Sequence, residues 1–246
     1  MRTSHLLRIL FAVFLAAFVV MAMSLPAQEP QDAQGADVTA TLVWAHGLQK
    51  SGSGRDQIPP AILWLKPLQN VSVPPAMPLN GYTLLQKNKM FIPHVLVVPV
   101  GANVSFPNAD PFYHNVFSLF EGKRFDLGLY EAGSARTVNF SREGVSYIFC
   151  NIHPEMSAVV IALSTPYYGV SDGRGITHVA HVPAGEYELH VWVEGQRQPA
   201  LDRFTRRVHI AGSAANLGEI QVEHAGSPAH LNKFGQPYDH EARPPY

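Results

Sequence analysis

Seven short apolar runs, each cut off by Gly, Pro, Asn or Asp, limit what this chain can fold into. They are VTATLVW (38–44), AILWL (61–65), HVLVVPV (94–100), VSYIFC (145–150), SAVVIAL (157–163), YELHVWV (187–193) and RRVHI (206–210). Runs of this length, rich in Val, Ile, Tyr and Phe and bounded by turn formers, read as β-strands. Beyond the N-terminal segment no window carries an apolar stripe of helical period longer than two turns. Of the 20 prolines and 19 glycines all but Pro99 fall outside the runs, which spaces the strands as sandwiches and barrels require. The chain is therefore read as all-β.

The N-terminus has a different pattern. Arg2 and Arg8 flank the start of an apolar run, Ile9–Met23, and small residues follow. That order of charge, apolar core and small residues is a secretory signal peptide, here residues 1–24, with cleavage after Ser24 or as late as Ala27. The run is shorter than the roughly 20 residues that span a bilayer, although an uncleaved anchor is the alternative. The expectation is a periplasmic or secreted protein with no membrane association after cleavage. Losing Arg2 and Arg8 would move the formal charge from −1 to −3, and no Lys/Arg run remains to suit a nucleic acid. The sequons at Asn70, Asn103 and Asn139 are read as chance.

Composition divides the remainder. Residues 25–37 are polar and turn-rich, a flexible lead-in. Residues 223–246 have no strand pattern and read as a disordered tail, whose His224, His230 and His240 are too widely spaced to suggest a site. Between these ends lie a central unit, 82–164, and a flanking unit split into 38–70 and 165–222.

The central unit contains the only cysteine, Cys150, in FCNIHPEM (149–156). One cysteine forms no internal disulfide, and an unpaired thiol is a liability in an exported chain. It is either an inert buried hydrophobe or a thiolate held by a metal. Cys150, His153 and Met156 share a loop between two apolar strands, while His114 opens an upstream strand. A site with two imidazoles, a thiolate and a weak thioether suits electron-transfer copper.

Residues 91–156 carry F-x-P, V-x-V-G-x-x-V-x-F-x-N, H-N-V and C-x2-H-x2-M in order. This segment resembles the cupredoxins, the blue-copper fold, and its short His153–Met156 interval is similar to amicyanin. The whole chain resembles periplasmic cupredoxin-domain proteins labelled for methylamine utilisation. The resemblance implies a Greek-key β-sandwich and one type 1 copper, Cu(II)/Cu(I), held by His114, Cys150, His153 and axial Met156. It further implies that Asn115 ties the ligand loops together, that Pro154 stiffens the loop, and that the His153 edge passes the electron. His94 is not expected to be a ligand. A catalytic copper would need further His pairs, typically His-x-His, and a binuclear copper site a second cysteine; the sequence has neither a His-x-His nor a second cysteine. The reading is a non-enzyme with a redox partner such as a dehydrogenase or cytochrome.

In the flanking unit, Asp172-Gly-x-Gly, then VPAGEY and an alternating strand resemble the second half of a carboxypeptidase regulatory-like β-sandwich, although Ala40 replaces the usual first-strand glycine. The copper unit is expected to be inserted into this smaller sandwich. In YELHVWV, Tyr187, Leu189, Val191 and Val193 share one face, with Glu188, His190 and Trp192 on the other, at a domain junction. Two other functions are open: copper handling without redox traffic, and a structural or carbohydrate-binding sandwich.

Overall fold

The computed structural model describes residues 35–45, 59–68, 77–119, 122–196, 198–223 and 231–238. The signal peptide, most of the lead-in, Asn70, His224, His230 and His240 lie outside the described residues.

In chain order the strands are β1 (Ala36–Trp44), β2 (Ala61–Pro67), β3 (Tyr82–Thr83), β4 (Leu85–Lys87), β5 (Met90–Ile92), β6 (Val95–Pro99), β7 (Ala102–Pro107), β8 (His114–Ser118), β9 (Phe125–Tyr130), β10 (Ala135–Phe140), β11 (Gly144–Phe149) and β12 (Ser157–Leu163). There follow β13 (Tyr168–Val170), β14 (Ile176–Val182), β15 (Gly185–Val193), a short helix α1 (Gln198–Asp202), β16 (Arg206–Ile210) and β17 (Ala214–Val222). The strand at the lead-in starts two residues earlier than the sequence pattern places it, because Ala36 is buried and pairs with Val182.

β1 and β2 are successive in the chain but join different sheets. β1 lies between β14, antiparallel, and β17, parallel. β2 lies between β13 and β15, with β16 beyond. The intervening strands form a sheet of order β10-β7-β3, a five-stranded sheet of order β6-β12-β11-β8-β9, and the hairpin β4-β5. None of β3 to β12 pairs with a strand of the other two sheets.

The five-stranded sheet explains why SAVVIAL lacks polar alternation. Ala158, Val160 and Ala162 of β12 enter one core, with Phe106, Val116 and Ile148. Val159, Ile161 and Leu163 enter the other, with Ile62, Leu65 and Trp192. A strand covered on both faces is apolar at nearly every position. The covering layer is the β2–β15 sheet: Trp192 is buried and its Nε1 donates to the Tyr147 hydroxyl at 3.3 Å. Lys66 pairs with Glu143 at 2.9 Å and His94 with Glu194 across the same boundary. His190 stacks on Trp64 at 5.2 Å. The face bearing His190 and Trp192 is thus covered by protein.

Candidate metal centre

Each candidate ligand position is set by local pairing rather than by the ligand itself. Phe149 pairs with Ser157 where β11 meets β12, so residues 150–156 must close a tight loop. The Cys150 N–H donates to the Met156 carbonyl at 3.1 Å, and the Met156 N–H to the His153 carbonyl at 3.0 Å. These two bonds close the loop back on itself. On the neighbouring strand Phe117 pairs with Phe149, which places the start of β8, and with it His114, beside Cys150.

The side chains converge. His114 Nδ1 and His153 Nδ1 lie 3.1 Å apart, and Cys150 Sγ is 3.7 Å from the first and 3.6 Å from the second. Among the described residues this is the one group of His, Cys and carboxylate side chains that could hold a metal ion, its ligand atoms within 4.8 Å of one another. Met156 is buried in the same core as Cys150. His94 stands apart, bonded to Glu194 and to the Ser157 carbonyl. This is a candidate metal centre.

The residues fit copper. Asp110, four residues before His114, accepts from His114 Nε2 at 2.8 Å. A carboxylate only accepts, so Nε2 carries the proton and the Nδ1 lone pair faces the cluster. Burial, opposed by the Asp110 hydrogen bond, keeps the His114 imidazole below its usual pKa. Burial, with charge from His114 and Lys89, takes His153 down to about 4. Both rings are therefore neutral ligands at neutral pH. Burial pushes the Cys150 thiol up, while backbone N–H groups of Asn115, Ile152 and His153 point to its sulfur and favour the anion. Two neutral imidazoles and a thiolate, without a carboxylate in reach of the metal, select a soft, borderline metal such as copper. Phe112 packs edge-on against His114, at 5.3 Å, and tilted against His153, at 5.6 Å, beside the cluster.

Several supporting residues escaped the sequence reading. Asp110 lies in Asn108-Ala-Asp-Pro, a run of turn formers that gives no local sign of a histidine partner. Its carboxylate also accepts from the N–H groups of Asn88, at 2.6 Å, and Lys89, at 2.9 Å. Those two residues hold the β4–β5 turn at φ 55° and 56°. Asn115 contributes to the cysteine loop through its backbone N–H, while its side-chain Nδ2 donates to Asp126 at 2.7 Å. The expected tie between ligand loops therefore runs through the main chain, because the amide is engaged by β9. Pro154 sits in the loop directly after His153, within a turn.

The tail differs from its expectation over residues 231–238, which lie against the metal loop. The Lys233 N–H donates to Asn151 Oδ1 at 2.9 Å, Lys233 Nζ to Asp126 at 2.9 Å, and the Tyr238 hydroxyl to the Cys150 carbonyl at 2.9 Å. Polar composition alone read as disorder; these partners, far away in sequence, supply the order.

No family model and no curated sequence matches the chain. Solved structures similar to part of it are cupredoxins and a copper enzyme. A novel purple cupredoxin from Nitrosopumilus maritimus is 26% identical over 33% of this chain and 96% of its own, with a TM-score of 0.30. The copper-containing nitrite reductase of Thermus scotoductus is 26% identical over 39% of this chain and 25% of its own, at 0.33. A reduced Cu(I) form of an amicyanin mutant is 20% identical over 33% of this chain and 81% of its own, at 0.32. Scores this low decide nothing alone; the ligand cluster carries the assignment. Among the described residues no helix is long and apolar enough to cross a membrane.

Proposed function

We propose that this chain is an exported one-electron carrier holding a single type 1 copper ion through His114, Cys150 and His153, with Met156 as the weak axial donor. The observation that carries the reading is the convergence of two imidazole Nδ1 atoms and one thiol sulfur in a buried pocket. Copper in such a donor set would cycle between Cu(II) and Cu(I).

The protein's part is to hold the donors still. His114 is kept in one tautomer by Asp110, and three backbone N–H groups wait for the Cys150 anion. Loop and strand anchors resist rearrangement when the charge at the site changes, which keeps the cost of electron transfer small. Cys150 releases its proton when the metal binds. His114 is 0% exposed and His153 9%. The His153 edge is accordingly the exit for the electron, and a dehydrogenase or cytochrome docking there is the redox partner. Export rests on the N-terminal charge and hydropathy pattern. A role without catalysis rests on the sequence, which has no His-x-His pair for a catalytic copper. In domain terms the copper unit, 82–164, is nested within a sandwich built from 38–70 and 165–222.

The test is an optical and EPR spectrum of the copper-loaded protein beside Cys150→Ser. Intense blue or purple absorption with a narrow copper hyperfine splitting is expected, and its loss in the variant. A protein that stays colourless with Cu(II) refutes the copper assignment. Copper that is shed on reduction, rather than retained through repeated redox cycles, would replace the carrier by a copper-handling protein.

A further inference from the structure

The segment Leu231–Tyr238 touches both halves of the ligand support. It is organised by its own turn: Asn232 Oδ1 accepts from the N–H groups of Phe234, at 2.9 Å, and Gln236, at 3.1 Å, and the Asn232 N–H donates to the Gln236 carbonyl at 2.8 Å. This pre-formed turn presents Lys233 and Tyr238 to the metal loop. Tyr238 binds the carbonyl of Cys150, and the Lys233 N–H binds the side chain of Asn151, the next residue. Lys233 Nζ reaches Asp126, whose other oxygen accepts from Asn115. Asn115 is adjacent to His114, and its N–H meets the Cys150 sulfur. One short segment thus grips the cysteine from its carbonyl side and, through Asp126 and Asn115, from its sulfur side.

We propose that residues 231–238 are a tethered clasp on the metal loop, in which Tyr238 and Lys233 are positioning residues for the Cys150 sulfur. The loop makes two backbone hydrogen bonds among its own residues, so the clasp adds as many anchors as the loop provides itself. Groups that orient ligands from outside the coordination sphere limit how far a site relaxes and how readily it gives up its metal. Tyr238 acts on the position of the sulfur through the main chain. Lys233 acts through charge, holding the Asp126 carboxylate against Asn115.

The copper readouts rest on the copper assignment above; the loop readout does not. Full-length Tyr238→Phe, Lys233→Met and Lys233→Arg are compared with the unaltered chain. In metal-free protein, hydrogen–deuterium exchange of the 150–156 amides is expected to quicken in Tyr238→Phe and Lys233→Met, with the β1 and β15 amides unchanged as the check on folding. In copper-loaded protein, transfer of copper to a strong chelator is expected to quicken about tenfold in both, and the thiolate-to-copper absorption to shift. Lys233→Arg retains the charge and is expected to restore the unaltered values. Unchanged exchange of the loop amides in both disruptive variants overturns the clasp whether or not copper binds. Faster loop exchange with an unaltered absorption and chelator rate overturns the positioning of the sulfur. A chain that takes up no copper refutes the copper assignment and leaves the amide comparison to judge the clasp.

Discussion

Replacing Asp110 with alanine removes one carboxylate from three donors: the Asn88 N–H, the Lys89 N–H and His114 Nε2–H. The three losses are unequal. Asn88 and Lys89 are exposed, so water takes over much of what the carboxylate supplied. His114 is fully buried, and its Nε2–H is left without an acceptor. A stranded buried donor costs about 1–3 kcal/mol, and each ordinary hydrogen bond exchanged for water about 0.5–1.5 kcal/mol. The sum for Asp110→Ala is a destabilisation of about 2–6 kcal/mol, read from urea unfolding of the metal-free protein. A second consequence is specific to the site. Without an acceptor at Nε2, the proton is free to move to Nδ1 and block the lone pair that faces Cys150. Metal affinity should then fall about 10–100-fold by competition titration. In Asp110→Asn the amide oxygen can take the Oδ2 place, still accepting from His114 and Lys89 and setting an N–H only against Asn88, so much of the affinity should return. In Asp110→Ala a stability change within about 0.5 kcal/mol, the size expected of an indifferent surface substitution, with unaltered affinity would refute this account.

Four further outcomes follow from named contacts. Because His114 and His153 have folded pKa values below the ordinary 6.5, His153 at about 4, the unfolded chain takes up protons first as pH falls. Metal-free stability is present above pH 6.5 and is lost on acidification toward pH 4, at about 1.4 kcal/mol per pH unit for His153, with His114 acting in the same direction; a melting temperature flat across that window would contradict it. Ile161→Ala should cost about 2–5 kcal/mol, since its side of β12 is packed by the flanking sheet; a loss below 1 kcal/mol would mean that face is not covered. At Gly169 a methyl group would meet the His178 carbonyl oxygen at 2.4 Å, so Gly169→Ala should destabilise by about 1–3 kcal/mol in thermal unfolding. Lys66→Met removes an exposed ion pair with Glu143 and should change stability by less than about 1 kcal/mol.

Some of this protein is written in local pattern. The apolar runs between Gly and Pro predict the β-class, because strand formation and turn formation are set by neighbouring residues. The pairing of Cys150 with His153 was legible for the same reason: two donors three residues apart in a short loop can meet only if the loop folds back, and the strands on either side make it do so. His114 was legible through the pattern around it, not through anything local to Cys150. The loss of alternation in SAVVIAL was visible too, but its cause was not, since a run buried on both sides looks alike whatever covers it.

What required the tertiary structure is every contact between residues far apart in sequence. β1 and β2 are strands by pattern, yet their assignment to different sheets depends on partners beyond residue 168. Trp192 and His190 alternate outward on β15, and only the packed five-stranded sheet tells that this face is covered. Lys233 and Tyr238 sit in a segment whose composition predicts no order; order comes from Asp126, Asn151 and the Cys150 carbonyl. Periodicity and turn chemistry operate over a few residues and can be read along the chain. Pairing, burial from a second layer and the support of the ligand loop depend on which distant groups meet, and that is decided only when the chain is packed.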